Sequence, residues 1–186
     1  MEISYIKYQL FGGAIQAEAP NTWEDISKLI PVPDNQEVFN DKVDGTSAIL
    51  EILERVEVQD DNAIQYFFND LARHHDAEHS ELSRILSQRS LDSSEMPFTD
   101  PSWKKYILKG DQLVLRDKRP GAERDPVRLF MLLIRYQEGS TDILFTLNLP
   151  KEGRNDEDFE LLSTKIESVM THFMNSFRII DMRLFG

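Results

Sequence analysis

Val127-Arg128-Leu129-Phe130-Met131-Leu132-Leu133-Ile134-Arg135-Tyr136, followed through Glu138-Gly139-Ser140-Thr141 by Asp142-Ile143-Leu144-Phe145-Thr146-Leu147-Asn148-Leu149, contains the two strongest strand signals in the chain. Both runs are apolar enough to sit centrally in a sheet, and the polar segment between them reads as a tight turn. Pro150 ends the pair. Two long neighbouring strands joined by a turn make an antiparallel ladder, and the rest of the chain has to be arranged around it.

Upstream, the β pattern begins at Trp103. Tyr106 and Leu108 alternate in one phase, while Leu113 and Leu115 alternate in the other. The phase slips near Gly110, which predicts a bulge or hairpin turn there. Leu82 to Leu91 reads as a further strand or a helical continuation, and Asp92 to Ser102, with Pro97 and Pro101, as a loop. Arg116-Asp117-Lys118-Arg119-Pro120-Gly121 reads as a connecting loop; its basic residues resemble a weak nuclear-import cluster, but interleaved acids favour the plain loop. Downstream, Asn155 caps a helix with Asp156, Glu157 and Asp158 in its first turn. Phe159, Leu162, Ile166, Val169, Met170, Phe173 and Phe177 give that helix one apolar face, which fits a cover for the sheet. The tail from Ile179 to Gly186 is expected to dock as an extended segment.

The N-terminal third begins with Leu10-Phe11-Gly12-Gly13-Ala14-Ile15, a hairpin signal. Glu24 to Leu29 reads as a short helix ended by Pro31 and Pro33. Val32-Pro33-Asp34-Asn35-Gln36-Glu37-Val38-Phe39 joins a rigid entry, a polar turn and a strand start. Taken alone it reads first as an ordinary turn before a strand. Asn40 to Thr46 is a polar loop, and Ser47 to Val56 is a strand in preference to a helix. In a regular strand Glu51 and Glu54 point to opposite faces. Asp60 and Asp61 are read as caps of a helix whose stripe is Ile64, Phe67, Phe68 and Leu71. These elements predict an α+β fold in which helices cover a central, mainly antiparallel sheet, with residues 1–186 forming one domain.

Thirty-three acidic and 21 basic residues give a formal charge of −12, which opposes binding to nucleic acid or anionic membrane and favours a basic protein partner. There is no cysteine, so thiolate chemistry and disulfides are excluded. The start, Met1-Glu2-Ile3-Ser4-Tyr5, lacks the pattern of a signal peptide, and no run approaches a membrane span, so a soluble, intracellular protein is expected. His75 and His79 stand four apart, but a zinc hydrolase would want His-Glu-x-x-His and a third ligand, so no metal site is expected. No nucleophile elbow, dinucleotide fingerprint or phosphate loop occurs, and neither an enzyme nor a cofactor is called for. What stands out is an acidic patch around Asp25, Asp34, Glu37 and, further on, Glu51 and Glu54, which reads as a binding face.

Leu10 to Ile15, then Asp25-Ile26-Ser27-Lys28-Leu29, then Val32 to Phe39 resemble, in order and spacing, the Ran guanine nucleotide release factor family. Ile49 to Glu54, Tyr66 to Asp70, Thr141 to Pro150 and the closing Asp181-Met182-Arg183-Leu184-Phe185-Gly186 extend the similarity over essentially the whole chain. The resemblance implies a PsbP-like α/β/α sandwich that binds the small GTPase Ran in the nucleus, promotes release of its guanine nucleotide and stabilises the empty form. It also implies a Ran-binding face at Asp25, Lys28, Leu29, Asp34, Asn35, Gln36, Glu37, Glu51 and Glu54. Ile30 departs from the family, whose members often carry a basic residue there; Lys28 is the nearest cation. A monomer present in nucleus and cytoplasm is expected. Dependence on a helper Ran-binding protein stays open, as does the alternative of an adaptor or trafficking scaffold that uses the same face without releasing nucleotide.

Overall fold

A computed structural model describes residues 3–115 and 123–185 of the chain. The basic run Arg116 to Gly121 lies outside the described residues. Among the described residues, ten strands and two long helices follow in the order β1 Tyr5–Leu10, β2 Ile15–Pro20, β3 Trp23–Asp25, β4 Gln36–Asp41, β5 Ser47–Glu54, α1 Asp60–His74, β6 Ser83–Ser90, β7 Lys104–Val114, β8 Asp125–Tyr136, β9 Thr141–Pro150, α2 Asp156–Ser176 and β10 Arg178–Ile179. Seven strands form one sheet in the order β3-β4-β5-β9-β8-β7-β6, and every neighbouring pair in it is antiparallel. The long runs on either side of the Gly139 turn are its centre, with Val127 opposite Pro150 and Tyr136 opposite Thr141.

Side chains on the central strands alternate between two cores. On one face Leu129, Met131, Leu133 and Leu144 meet Ile64, Phe67 and Phe68 of α1. On the other, Phe130, Leu132, Ile134, Phe145 and Leu147 meet Ile166, Val169, Met170 and Phe173 of α2. Phe173 stacks on Phe145 at 3.9 Å between ring centres. Each such side chain, removed from water, contributes roughly 1.5–3 kcal/mol. α2 opens as the sequence predicts, with Asn155 Oδ1 accepting from the Asp158 amide at 2.8 Å. On this same face a three-stranded sheet, β1-β2-β10, packs against α2 and, through Tyr8, against Trp23 and Phe39, and its Ile15, Ala17 and Ala19 complete this core. The expected α+β sandwich is therefore present, with helices on both faces of an antiparallel sheet. The added small sheet depends on β10 returning to β2 across most of the chain, Ile179 opposite Ile15. Of the tail expected to be extended, Ile179 is the one residue in a strand among the described residues; Met182–Phe185 form a 3-10 turn.

Several local expectations change. β7 runs unbroken from Lys104 to Val114, in regular register with β8. The irregularity falls on β6, between Ile85 and Ser87, opposite Gly110. Gly110 itself answers to packing: a Cβ there would lie 2.5 Å from Phe68 Cε2 and 2.9 Å from the Arg84 carbonyl oxygen. Leu82 to Leu91 resolves as strand β6. Glu24 to Leu29 divides into the end of β3 and a 3-10 turn at Ile26–Lys28, because β3 pairs with β4 as far as Asp25 opposite Phe39. Asn40 and Asp41, expected in a loop, continue β4. Asp60 and Asp61 do not cap α1. Gln59 holds the cap position, and the two acids sit in the first turn, where Asp60 meets Arg55 and Arg135 and Asp61 accepts from the Tyr106 hydroxyl. α1 ends at His74, so His75 and His79 share no helix face, and among the described residues no three His, Cys, Asp or Glu side chains converge on a metal site.

Candidate functional site

The predicted turn forms. The Gln36 amide donates to the Pro33 carbonyl at 2.9 Å, which puts Asp34 and Asn35 at its exposed corners. Asn35 ties the turn to β5: its Nδ2 donates to the Ile52 carbonyl at 3.1 Å, and the Ile52 amide returns a bond to the Asn35 carbonyl at 2.9 Å. The mount is stiff because backbone bonds and one asparagine hold it. The Asp34 carboxylate is exposed and takes no described hydrogen bond, so it is free for a partner.

β4 and β5 then sort the remaining residues by parity. Gln36 stands opposite Glu51, and its Nε2 donates to Glu51 Oε1 at 2.6 Å on the α1 face. Glu37 points the other way, on the side of Phe39, and accepts from the Phe11 amide at 2.5 Å. That bond pins a strained segment, since Phe11 has φ +49° and is followed by Gly12 at +64° and Gly13 at +93°. Burial raises the pKa of both Glu37 and Glu51, and the Asp25 charge pushes Glu37 further up while the Phe11 amide pulls it down. Asp25 is also engaged: its Oδ1 accepts from the amide and hydroxyl of Ser27, at 2.9 and 2.6 Å, and so caps the 3-10 turn. The turn projects Lys28, Leu29 and Ile30 into solvent, with Leu29 76% and Ile30 55% exposed.

β5 stays in regular register with β9 through Glu54, opposite Thr141. Glu51 and Glu54 therefore face opposite sides, and Glu54 is exposed with no described partner. The nine expected residues do not make one flat face. Asp25, Lys28, Leu29 and Glu37 line an open cavity of about 500 Å³ on the α2 side, with Ile6, Tyr8 and Trp23. Gln36 and Glu51 lie on the α1 side. The two groups meet at a sheet edge, because β3 stops opposite Phe39 and leaves Gln36 to Val38 without an outer strand.

Two exposed apolar residues outside the expected set lie nearby: Ile30 in the proline-bounded turn, and Ile6 of β1, 47% exposed, in the wall of the α2-side cavity.

At this edge the carboxylates of Asp25, Glu37 and Glu51 accept hydrogen bonds, those of Asp34 and Glu54 face water, and among the described residues no three metal-ligating side chains come together. A family model described as Ran-interacting Mog1 protein matches residues 8–150. A probable Ran guanine nucleotide release factor of Dictyostelium discoideum is 30% identical over 196 residues, covering 100% of this chain and 98% of that protein. The nuclear import protein mog1 of Schizosaccharomyces pombe is 34% identical over 145 residues, covering 76% of this chain and 75% of that protein. The crystal structure of the Saccharomyces cerevisiae Ran-binding protein Mog1p shares the fold with a TM-score of 0.74 at 22% identity over the whole of both chains. Cyanobacterial PsbP from Synechocystis does so at 0.59 and 13%, covering 96% of this chain and 94% of that one. A sequence match that runs from within β1 to the end of β9, and so takes in the turn, both flanking strands and the sheet that carries them, makes this chain a member of the Ran-interacting Mog1 protein family.

Proposed function

We propose that this chain binds the small GTPase Ran across the β3–β4 edge, promotes release of its guanine nucleotide and stabilises the empty form, in support of nucleocytoplasmic transport. The observation that carries the reading is the edge itself: the free carboxylate of Asp34 stands in the turn that opens β4 and that of Glu54 at the end of the neighbouring strand β5, within a chain of net charge −12 and in a family named for Ran interaction. Relatives named as a probable Ran guanine nucleotide release factor and as a nuclear import protein support the activity and a role in nuclear transport, and the proposal places the chain in the nucleus and partly in the cytoplasm. Release follows from differential affinity. A protein that binds empty Ran more tightly than loaded Ran shifts the population toward the empty state by the ratio of the two affinities, and no acid, base or cofactor is needed. In this reading Asp34 and Glu54 meet basic groups on Ran, Gln36 and Glu51 engage it on the α1 side, Leu29 with Lys28 touches it on the α2 side, and Asn35, Asp25 and Glu37 hold the edge in shape. The chain acts as a single domain and as a monomer.

The test is release of a fluorescent guanine nucleotide from purified Ran at catalytic and stoichiometric levels of this protein. Wild type is expected to accelerate release, and Asp34→Lys combined with Glu54→Lys to lose at least about tenfold in affinity, since opposite charges become like charges at the interface. Binding without faster release would establish the adaptor instead. Unchanged binding by the double reversal would remove these carboxylates from the site.

A further inference from the structure

On the α1 face, between β5, β9 and the C-terminal end of α1, lies a cavity of about 380 Å³, within the size range of built ligand sites. Ile49, Leu71, Val127 and Pro150 give it apolar walls, and Glu51 and His75 stand among them. A further polar pair on its wall, Asn148 and Ser47, satisfy each other at 3.0 Å.

A chain of bonds fixes what His75 presents. The Phe68 carbonyl can only accept, so the Gln112 group 3.0 Å from it is the amide nitrogen Nε2. The Gln112 oxygen then faces His75 Nδ1 at 3.2 Å, and Nδ1 carries the proton. In the neutral ring this leaves Nε2 as a bare acceptor with no described protein donor. Glu51 is in a similar position: Gln36 takes Oε1, and Oε2 has no described protein donor. The cavity thus offers two acceptors among apolar walls.

We propose that this cavity receives an arginine side chain of the bound partner, with its guanidinium bridging Glu51 Oε2 and His75 Nε2 and its aliphatic stem lying along Ile49, Leu71, Val127 and Pro150. A planar guanidinium presents five N–H donors in a fixed fork and sheds water more easily than an ammonium, so it can satisfy two separated acceptors in a half-apolar site. The burial that raises the Glu51 pKa marks a carboxylate short of water, which a cation would compensate. The proposal rests on the Ran-binding reading above and adds His75, which lies outside the acidic edge.

The test begins with wild-type protein, whose backbone amides are followed by NMR while Nα-acetyl-arginine methylamide or its lysine counterpart is added. The arginine amide is expected to shift Ile49, Leu71 and His75, and the lysine amide to do so at least about fivefold more weakly. In a parallel titration His75→Leu should bind Ran about tenfold less tightly, through loss of a charge-assisted bond, while melting within a few degrees of wild type. Absence of arginine-dependent shifts, equal shifts from lysine, or unaltered Ran affinity in a folded His75→Leu would each overturn the proposal, and the last would do so with Ran binding left intact. If Ran fails to bind while the arginine amide still fills the cavity, the Ran reading falls and the cavity's preference for a guanidinium stands.

Discussion

Glu51 accepts a 2.6 Å bond from Gln36, yet burial still raises its pKa above the ordinary value of 4.5. For a carboxyl whose folded pKa is raised, stability is fully present below the unfolded value and is lost as pH rises through the folded value. At neutral pH the charge therefore works against the fold. Glu51→Gln keeps an oxygen to receive the Gln36 bond and removes the charge. At pH 7 we expect it to raise Tm by about 2–4 °C, corresponding to about 1 kcal/mol after allowance for partial exposure. The gain should fade as pH drops below the Glu51 value, where wild type is protonated too, and the same variant should bind Ran less well. Thermal melts at pH 7 and pH 4 measure both halves, and equal Tm values at pH 7 would show the carboxylate to be well solvated. The burial that sets this balance follows from the register of β5 against β4 and β9, which the acidic letter at position 51 does not carry.

Among the elements, β8 and β9 were legible because strands buried on both faces read as unbroken apolar runs, and α2 because its apolar stripe keeps one phase over five turns. β7 misled through one residue. Gln112 takes an inward position that pattern reading assigns to an apolar side chain, and it can do so because the Phe68 carbonyl and His75 satisfy its amide. β3 was hidden by its three-residue length, and β10 by a pairing partner more than 150 residues away. Arg135 is another buried polar residue inside an apolar strand. Its guanidinium is almost fully buried and donates to Asp142 Oδ1 at 2.9 Å, to Asp60 Oδ1 at 3.0 Å, and to the Val56 and Val58 carbonyls at 2.6 and 3.1 Å. Asp142 in turn accepts from the Val56 amide at 3.1 Å. The pair clamps the link between β5 and α1, and so fixes the end of β5 that carries Glu54. Arg135→Met would strand the fully buried Asp142 charge and two carbonyls, and a loss of about 3–5 kcal/mol is expected. Urea unfolding gives that number, and amide exchange should quicken first at residues 55–59. An unchanged midpoint would mean that the clamp contributes nothing net.

At the scale of the whole molecule, charge and shape act on different steps of the proposed encounter. Net charge of −12 is spread over the surface and pulls a basic partner in from a distance, whereas Leu29 and Ile30 protrude from one end of the edge and act only after contact. The charge was legible in the sequence, and the family resemblance is what proposes the residues of the site; their division between two sides of a sheet edge was not legible, because it follows from the register of β4 on β5 and from where β3 stops. These two contributions predict separable kinetics. Raising salt from 50 to 300 mM shortens the Debye length from about 14 to about 6 Å, so the association rate with Ran should fall several-fold while dissociation changes little. Leu29→Ala with Ile30→Ala should do the reverse: the association rate stays near wild type, and dissociation quickens by about ten- to a hundredfold if the two side chains are buried in the complex at roughly 1.5–3 kcal/mol each, less what alanine retains. Stopped-flow traces at two salt concentrations read both rates. If the double alanine variant dissociates as slowly as wild type, the apolar end of the edge lies outside the interface, and Ran is held by the carboxylate groups alone.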